Sequence, residues 1–371
     1  MRILFMFTHI NRSGAPKMMA WVANQMAQAG HEVHLLSYFS DKCEQELDPG
    51  VQFSSLNICR SGSRLMRNTL GMARTVGALD AFIRRVKPDV TVTFLDSVGY
   101  VYLLLNRVMK RCRMVASERA DPYTYKGVVG KIRTFLLRSA DAVVFQTEGA
   151  RDFYRGIRRI AQRSEVIPNP VVFPPQVQQM LPSLRVTSAQ RDRRIVSVGR
   201  LSMKQKRPDV LLRAFRIVHE KCPETTLHFY GKGEAQEQIL QLAQELGVAD
   251  SIVLQGESAQ VLQEIHNAGA FAMSSDFEGI PNALIEALSV GVPCVSTDCR
   301  PGGARLLIRD GENGFITPCG DAEKMAQRLL QVLSNPALAD GFSQRAVSVC
   351  DEFSGDVIAR KWAAVLEGTA R

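Results

Sequence analysis

Long apolar runs are missing from this sequence. The longest one, which includes Gly and Tyr, lies around Val98–Leu105, whereas a membrane-spanning helix needs about 20 apolar residues. The first residues, MRILFMFTHINRSG, contain a short apolar stretch but no small-residue cleavage site. They therefore predict a first β-strand rather than a signal peptide.

Zinc and disulfide patterns are also missing. The eight cysteines form no CxxC pair, and their spacing does not resemble that of a zinc site. Dispersed thiols without a secretion signal indicate a reducing cytoplasm. The six histidines do not cluster, although His9 could line a ligand site. We therefore expect a cytoplasmic protein with no metal held by Cys or His.

Acidic residues are scarce in the first half of the chain. Residues 1–180 contain 25 Lys and Arg against 14 Asp and Glu, whereas residues 181–371 contain 21 against 23. The net charge of +9 therefore arises in the first half. Such a field favours an anionic partner, which could be acidic lipid, a phosphorylated acceptor or nucleic acid. A solvated surface that binds nothing is the alternative.

Short β-rich runs alternate with stretches of helical spacing, and 371 residues are enough for two domains. In the first half, strands are predicted at Ile3–Thr8, Val33–Tyr38, Val90–Phe94, Met114–Ser117, Ala142–Gln146 and Glu165–Ile167. In the second half, they are predicted at Ile195–Gly199, Thr226–Gly231, Ile252–Gly256, Ala270–Ser274, Pro293–Thr297 and Gly314–Ile316. This alternation predicts an α/β protein of two Rossmann-like, doubly wound parallel-sheet domains that face each other across a cleft.

A proline-rich segment, Pro168–Arg194, interrupts the alternation and predicts the interdomain linker. We accordingly expect an N-terminal domain at 1–180 and a C-terminal domain at 190–353. The tail Ser354–Glu367 has the pattern of a final amphipathic helix, within a last segment at 354–371.

The strongest functional pattern consists of two glutamates, Glu278 and Glu286, separated by seven residues. Between them, Gly279 permits close backbone approach and Pro281 suits the first turn of a helix. The N-terminus of such a helix offers free amides and a positive dipole end to a diphosphate. Two surface glutamates beside an ordinary helix are the alternative. The donor-binding candidates in this segment are Glu278, Gly279, Ile280, Pro281, Asn282 and Glu286.

Two cations follow the first strand of the second half. Arg200 comes directly after the strand, and Lys206 precedes the next helix. A departing nucleoside diphosphate accumulates negative charge, which two fixed cations can neutralise in a water-poor site. We therefore predict that Arg200, Lys206 and Glu278 carry the chemistry. Solvated side chains in a basic loop are the alternative.

A polar turn, Asn11–Pro16, follows the first strand and contains Gly14, which could bring backbone amides to a phosphate. The turn is a weak signal, because the sequence has neither the GxGxxG of dinucleotide sites nor the GKS/T of a P-loop.

In this order along the chain, these motifs resemble those of the retaining GT-B glycosyltransferases of family 4. The resemblance covers nearly the whole sequence. It rests on the Gly14 loop, Gly30–Val33, Val166–Pro170, Val198–Leu201, Tyr230–Glu234, Glu278–Glu286 and Gly311–Phe315.

The resemblance implies a metal-independent hexosyltransferase without a cofactor, whose nucleotide sugar is a co-substrate. Arg200 and Lys206 would contact the diphosphate, Glu286 the ribose and Glu278 the hydroxyls of the donor sugar. The donor would be a UDP-sugar, with a GDP-sugar second, and it would bind the C-terminal domain. The acceptor, a glycan or lipid-linked glycan of a cell-surface polysaccharide or lipopolysaccharide, would bind the N-terminal domain, to which the C-terminal helix would return.

One segment departs from the family pattern. Many members have a histidine where this sequence has Ser117–Pro122, and the segment resembles a Ser-Glu-Arg form of some polysaccharide enzymes. Glu118 or Arg119 could therefore face the sugar or the acceptor, or either could form a buried ion pair. Asp96, at another strand end, and His9 are further acceptor-side candidates.

Basic amphipathic segments at Arg60–Arg74 and Val98–Met114 predict peripheral association with an anionic membrane, at the inner face of the cytoplasmic membrane. Core-packing helices are the alternative. Rival functions are another GT-B enzyme, such as a sugar-nucleotide epimerase or a phosphorylase, and a non-catalytic binder of lipid or nucleic acid. The joint presence of Arg200, Lys206 and the two glutamates disfavours such a binder, and we expect no nucleic-acid partner.

Overall fold

The computed structural model describes residues 1–11, 14–58, 70–119, 121–125 and 127–368. It divides into two compact units: unit 1 comprises residues 1–169 and 356–371, and unit 2 comprises residues 170–355. The chain thus changes unit at Asn169/Pro170 and again at Gly355/Asp356, where the sequence had placed boundaries near 180 and 353.

Unit 1 contains one parallel sheet with the strand order β3-β2-β1-β4-β5-β6-β7. Its strands are β1 Arg2–Phe7, β2 Glu32–Ser37, β3 Val51–Ser55, β4 Val90–Thr93, β5 Arg113–Glu118, β6 Ala142–Phe145 and β7 Ser164–Val166. The described helices before residue 170 are α1 Gly14–Gln28, α2 Leu70–Val86, α3 Ser97–Met109, α4 Gly127–Leu137, α5 Glu148–Asp152 and α6 Arg158–Ala161.

The central strands of this sheet are largely buried, as is usual for parallel sheets that helices cover on both faces. The four middle residues of β1 are buried, as is all of β4. β3 was not predicted, because its sequence VQFSS has little apolar character and it lies at the edge of the sheet.

Unit 2 repeats the design with the strand order β10-β9-β8-β11-β12-β13. Its strands are β8 Arg194–Val198, β9 Thr226–Tyr230, β10 Ile252–Gly256, β11 Ala270–Met273, β12 Cys294–Thr297 and β13 Phe315–Thr317. Its described helices are α7 Pro175–Met180, α8 Pro208–Lys221, α9 Gln236–Glu245, α10 Val261–Ile265, α11 Asn282–Ser289, α12 Gly303–Leu307, α13 Ala322–Ser334, α14 Pro336–Ala346 and α15 Ser348–Glu352.

The last helix, α16 Gly355–Glu367, lies in unit 1. Its Trp362 is fully buried and stacks on Phe94 at 5.8 Å between ring centroids. Arg113 Nη1 of β5 donates hydrogen bonds to the carbonyls of Val365 and Leu366 at 2.6 and 2.7 Å. The C-terminal helix therefore completes the core of the unit that begins the chain.

The segment predicted as a linker is an ordered part of unit 2 from Pro170 onward. Arg191 donates to the carbonyls of His266 and Ala268 at 3.0 and 3.2 Å, and Ser188 Oγ donates to Asp340 at 2.8 Å. Prolines fix backbone angles but do not prevent such packing. A proline-rich segment that was predicted as a linker can therefore belong to a domain.

The sequence-based expectation of two doubly wound α/β domains is confirmed. In both sheets the strand order reverses beside the first strand, between β1 and β4 in unit 1 and between β8 and β11 in unit 2. Ligands of open α/β sheets bind outside the carboxyl ends of the strands at such switch points. Within the described ranges, no helix has the length and apolar character needed to cross a bilayer.

Candidate active site

The predicted chemistry-bearing residues of unit 2 converge on its switch point. Arg200 and Lys206 follow β8, and Glu278 follows β11, the neighbouring strand. A small pocket at this place is lined by residues of the β8 end together with Lys206 and Ser274. Sequence positions far apart in the chain thus meet at one edge of the sheet.

Lys206 and Glu278 form a direct ion pair, with 2.7 Å between Nζ and Oε1. The Ser275 hydroxyl donates to the same carboxylate oxygen at 3.0 Å. The side chains are 22% and 11% exposed respectively, so water screens the pair only partly. The family resemblance implies that Lys206 contacts the diphosphate and Glu278 the donor sugar, and the sequence did not predict this contact between them.

Gly199 makes room for this lysine. Its φ of +145° is strained for any residue with a side chain, and an added Cβ would lie 3.0 Å from Cε and Nζ of Lys206. The backbone of Gly199 is fixed by its amide, which donates to the Tyr230 carbonyl at 2.8 Å. The lack of a side chain at Gly199 therefore lets the ammonium group of Lys206 lie next to the backbone at the end of β8.

Arg200 is exposed, and a glutamine positions it. Its Nη2 donates to Gln205 Oε1 at 3.1 Å, and Gln205 Nε2 donates to the Phe277 carbonyl at 3.3 Å. Because Gln205 bridges the loops after β8 and β11, it holds Arg200 beside the segment that carries Glu278. Sequence reasoning missed Gln205, since a lone glutamine in a basic loop gives no signal.

Arg207 fixes the same two loops from the other side. It pairs with Asp209 at 3.0 Å and with Asp276 at 2.8 Å. These hydrogen bonds raise the pKa of the Arg207 guanidinium above its ordinary value. The Ser274 hydroxyl adds bonds of 2.8 Å to the carbonyls of Lys206 and Arg207. The sequence predicted only that this loop is basic. The structure shows that these ion pairs and hydrogen bonds hold the loop in place.

The helix predicted to bind a diphosphate exists as α11, Asn282–Ser289. Pro281 is its N-cap rather than its first helical residue, and it has no side-chain acceptor for the first amides. Gly279 and Ile280 lead into the helix, and an added Cβ on Gly303 would collide with the Gly279 carbonyl oxygen. The N-terminus of α11 is thus held close to α12 with its own amides uncapped by a side chain.

Glu286 lies in the second turn of α11 and is partly buried. Burial raises the pKa of its carboxyl above the ordinary value. A carboxylate in such a place is stabilised by hydrogen bonds from a ligand's hydroxyls. That requirement suits the ribose contact which the family resemblance implies.

In unit 1, Glu118 is 2% exposed and forms the buried ion pair that was one of its two expected roles. Arg133 Nη2 of α4 lies 3.1 and 3.0 Å from its two carboxylate oxygens, and the Tyr100 hydroxyl donates to it at 2.9 Å. Glu118 therefore holds α4 against the sheet. Protein groups engage both of its oxygens, and a contact of Glu118 with the acceptor stays a prediction.

Arg119 makes a different set of contacts. Its Nη1 donates to Asn169 Oδ1 at 3.0 Å, and its guanidinium lies 4.7 Å from the Phe94 ring and 5.5 Å from the Trp362 ring. Burial lowers its pKa to about 9. The aromatic rings thus hold this cation at the carboxyl end of β5.

The other acceptor-side candidates lie near the switch point of unit 1. His9 follows β1, is exposed, and has its ring 5.6 Å from that of Phe39. Asp96 follows β4 and caps α3, accepting from the Gly99 amide at 2.7 Å. Gly14, which was predicted to bind the donor rather than the acceptor, begins α1 and has open space where a side chain would be. The neighbouring residues 12 and 13 lie outside the described part of the chain.

Among the residues described, no three His, Cys, Asp or Glu side chains are grouped as a metal site would require. Most of the predicted membrane segment Arg60–Arg74, including its first three arginines, falls in the undescribed residues 59–69.

Two Rossmann-like domains, with Arg200 and Lys206 at the switch point of the second, are typical of α/β enzymes that bind nucleotides. Residues 13–170 match the family model of a glycosyl transferase 4-like domain, and residues 185–348 match that of the glycosyl transferases group 1. The chain therefore belongs to the family 4 glycosyltransferases, which have the GT-B fold.

Several relatives extend over the full length. An alpha-1,4-N-acetyl-D-galactosaminyltransferase of Campylobacter jejuni, named for a glycan on PP-undecaprenol, is 22% identical over 98% of this chain and 97% of its own. The apo structure of the lipopolysaccharide outer core galactosyltransferase WaaB covers 100% of both chains at 21% identity, with a TM-score of 0.78. The structure of Anabaena HepE in complex with UDP covers 99% of this chain and 100% of its own at 17% identity, with a TM-score of 0.75.

Proposed function

We propose that this protein is a retaining, metal-independent hexosyltransferase. It moves a hexose or N-acetylhexosamine from a UDP-sugar to a glycan or lipid-linked acceptor in cell-surface polysaccharide or lipopolysaccharide synthesis. The observation that carries the proposal is the meeting of Arg200, Lys206 and Glu278 at the switch point of unit 2, where the Lys206–Glu278 pair is 2.7 Å long.

The chemistry follows from the charges. When the bond from the anomeric carbon to the β-phosphate oxygen breaks, negative charge develops on the phosphate. Arg200 and Lys206 are placed to stabilise that charge, and a preorganised donor of this kind is typically worth 10²–10³ in turnover. The acceptor oxygen forms its bond to the same carbon on the same face, and its proton passes to the leaving phosphate. No protein nucleophile is needed.

The ion pair also gives Lys206 a resting partner. A lysine held by Glu278 is kept in place before the donor arrives, so less side-chain entropy is lost on binding. When the diphosphate takes the ammonium, the Glu278 carboxylate becomes available to the hydroxyls of the donor sugar. The same two residues thereby link phosphate binding with sugar binding.

The donor and the acceptor are inferred from the relatives. HepE is described with UDP, which supports a uridine donor over the runner-up, a GDP-sugar. The Campylobacter enzyme is named for a polyprenyl diphosphate-linked glycan, and WaaB for lipopolysaccharide. Acceptors of both kinds are attached to membranes, so we place this protein at the inner face of the cytoplasmic membrane.

The proposal is tested by incubating the purified protein with a panel of UDP- and GDP-sugars and measuring nucleotide release, with and without EDTA. We expect slow UDP release that the chelator leaves unchanged, and NMR of the glycan product should show the anomeric configuration of the donor. Metal-dependent release would refute metal independence, and an inverted anomer would refute retention. Conversion of the sugar nucleotide without net release of UDP or GDP would indicate an epimerase instead.

A further inference from the structure

We propose that the outward faces of α3 and α4 dock on the surface of an anionic lipid bilayer. This inference rests on the proposed membrane-linked acceptor, and it names the part of the protein that would contact the membrane. The contact surface, here called the apolar face, consists of Val101, Leu104 and Val108 of α3 with Val128, Ile132 and Phe135 of α4.

Helix α4 is oriented opposite to an ordinary surface helix. Its apolar residues Val128, Ile132 and Phe135 recur at the spacing of one helical face, which normally packs on the core. Here they are 72%, 53% and 55% exposed. Within Gly127–Leu137 the only fully buried side chain is that of Leu137. The helix therefore presents its apolar side to the outside.

A charged residue holds the helix in this orientation. Arg133 points inward to the buried Glu118, and its guanidinium lies 3.6 Å from the Tyr125 ring centroid and 4.7 Å from that of Tyr100. Because the ion pair and the rings anchor the polar side, the apolar side is left for another contact. A helix with this orientation is not explained by the packing of unit 1 alone.

Helix α3 packs beside α4 and extends the same surface. Its inner side is buried, yet Val101, Leu104 and Val108 form a second stripe on the outside, where Val108 is 79% exposed. Next to α4 lies an open groove of about 660 Å³, whose lining includes Tyr123, Phe135 and Phe153 together with Lys131 and Arg138. Grouped exposed apolar side chains of this kind mark an interaction surface.

Charge identifies the partner. Neither α3 nor α4 contains an acidic residue, whereas Arg107, Lys110, Lys131 and Arg138 are exposed around the apolar face. Apolar side chains within a basic rim match the acyl boundary and the phosphates of an anionic bilayer. A second copy of this chain fits less well, since a two-fold contact through the same face would bring the basic rims together.

The test is co-flotation of the full-length protein with vesicles. One set is phosphatidylcholine alone, and the other is phosphatidylcholine and phosphatidylglycerol in equal parts. We expect binding to the second set that weakens at high salt. The triple variant Val128→Ser, Ile132→Ser, Phe135→Ser should bind at least about tenfold more weakly. Its matched control, Val172→Ser with Leu240→Ser, removes exposed apolar side chains from unit 2 and should bind like the wild type.

A second pair of variants tests the charge. Lys131→Gln with Arg138→Gln should lower the affinity for the anionic vesicles about tenfold or more. The control Arg213→Gln with Lys221→Gln removes two exposed cations of α8 and should have no such effect.

Several outcomes would overturn the proposal: wild-type protein that does not float with anionic vesicles, or a triple serine variant that floats as well as the wild type. A dimer in gel filtration that the triple variant dissociates, without vesicle binding, would assign the face to a second copy instead. UDP release without vesicles should be equal in all these proteins. If wild-type release is absent, the proposed enzymatic function fails, whatever the vesicles show.

Discussion

The contact between Lys206 and Glu278 predicts that removing the carboxylate strengthens nucleotide binding while it stops sugar transfer. In the free protein Nζ lies 2.7 Å from Oε1, so the diphosphate must compete with Glu278 for the ammonium group. The substitution Glu278→Gln keeps the size of the side chain and removes its charge. We expect Lys206 then to be available to UDP without that competition.

The size of the effect follows from the burial of the pair. Two unit charges 4 Å apart attract by about 1 kcal/mol in water and by about 4 kcal/mol at an effective dielectric constant of 20. With side chains 22% and 11% exposed, the pair lies between these limits. Part of this gain is offset because Lys206 loses the partner that holds it in place. A net gain of about 1–2 kcal/mol then tightens the Kd of UDP roughly fivefold to thirtyfold.

The assay is isothermal titration of UDP, combined with turnover measurements on the same variants. Glu278→Gln should bind UDP more tightly and lose at least about 10² in turnover, since its contact with the donor sugar is lost. Lys206→Met should lose both binding and turnover. Lys204→Met, an exposed lysine in the same loop, is the matched control and should change neither. Weaker UDP binding by Glu278→Gln, or normal turnover in Lys206→Met, would refute the reasoning.

Three other predictions concern single side chains. Arg200→Ala should lower turnover about 10²-fold in a UDP-release assay, because the leaving phosphate loses one fixed cation, and unchanged turnover would contradict its role. Arg133→Met should lower the free energy of unfolding in urea by about 3 kcal/mol, since it leaves Glu118 buried without its charge partner. Arg84→Met should cost less than about 1 kcal/mol, because Arg84 is 57% exposed and its partner Asp80 keeps Arg111 as a second cation. The raised pKa of Glu286 means that it takes up a proton at a higher pH than an ordinary glutamate, so UDP affinity should fall as the pH drops through that value. Glu286→Gln should show no such pH dependence.

Much of the fold could be predicted because parallel strands buried on both faces have apolar runs that stand out in the sequence. Most of the predicted strands agree with the structure within a residue or two. β3 was not predicted, because a strand at the edge of a sheet needs few apolar residues. The apolar residues of α4 have the spacing of an ordinary helix, and the sequence pattern could not show that they face outward.

The sequence predicted where the site residues lie in the fold, but it did not predict which side chains they contact. Residues that follow the strands on either side of the switch point must lie near it, as Arg200 does after β8 and Glu278 after β11. The partners of charged side chains depend on tertiary structure instead. The sequence therefore left the role of Glu118 open and gave no indication that Gln205 bridges two loops.

The return of α16 to unit 1 has a consequence for synthesis of the protein. Phe94 and the groups around it are made early, whereas Trp362, which covers them, is added only after all of unit 2 has been translated. Translation of unit 2, Pro170–Gly355, takes roughly 10–40 s at about 5–20 residues per second. During that time the nascent first unit exposes an aromatic surface to chaperones and to aggregation, while the second unit can already fold. A ribosome-bound chain stopped before α16 should therefore be protease-sensitive in its first half and protected in its second.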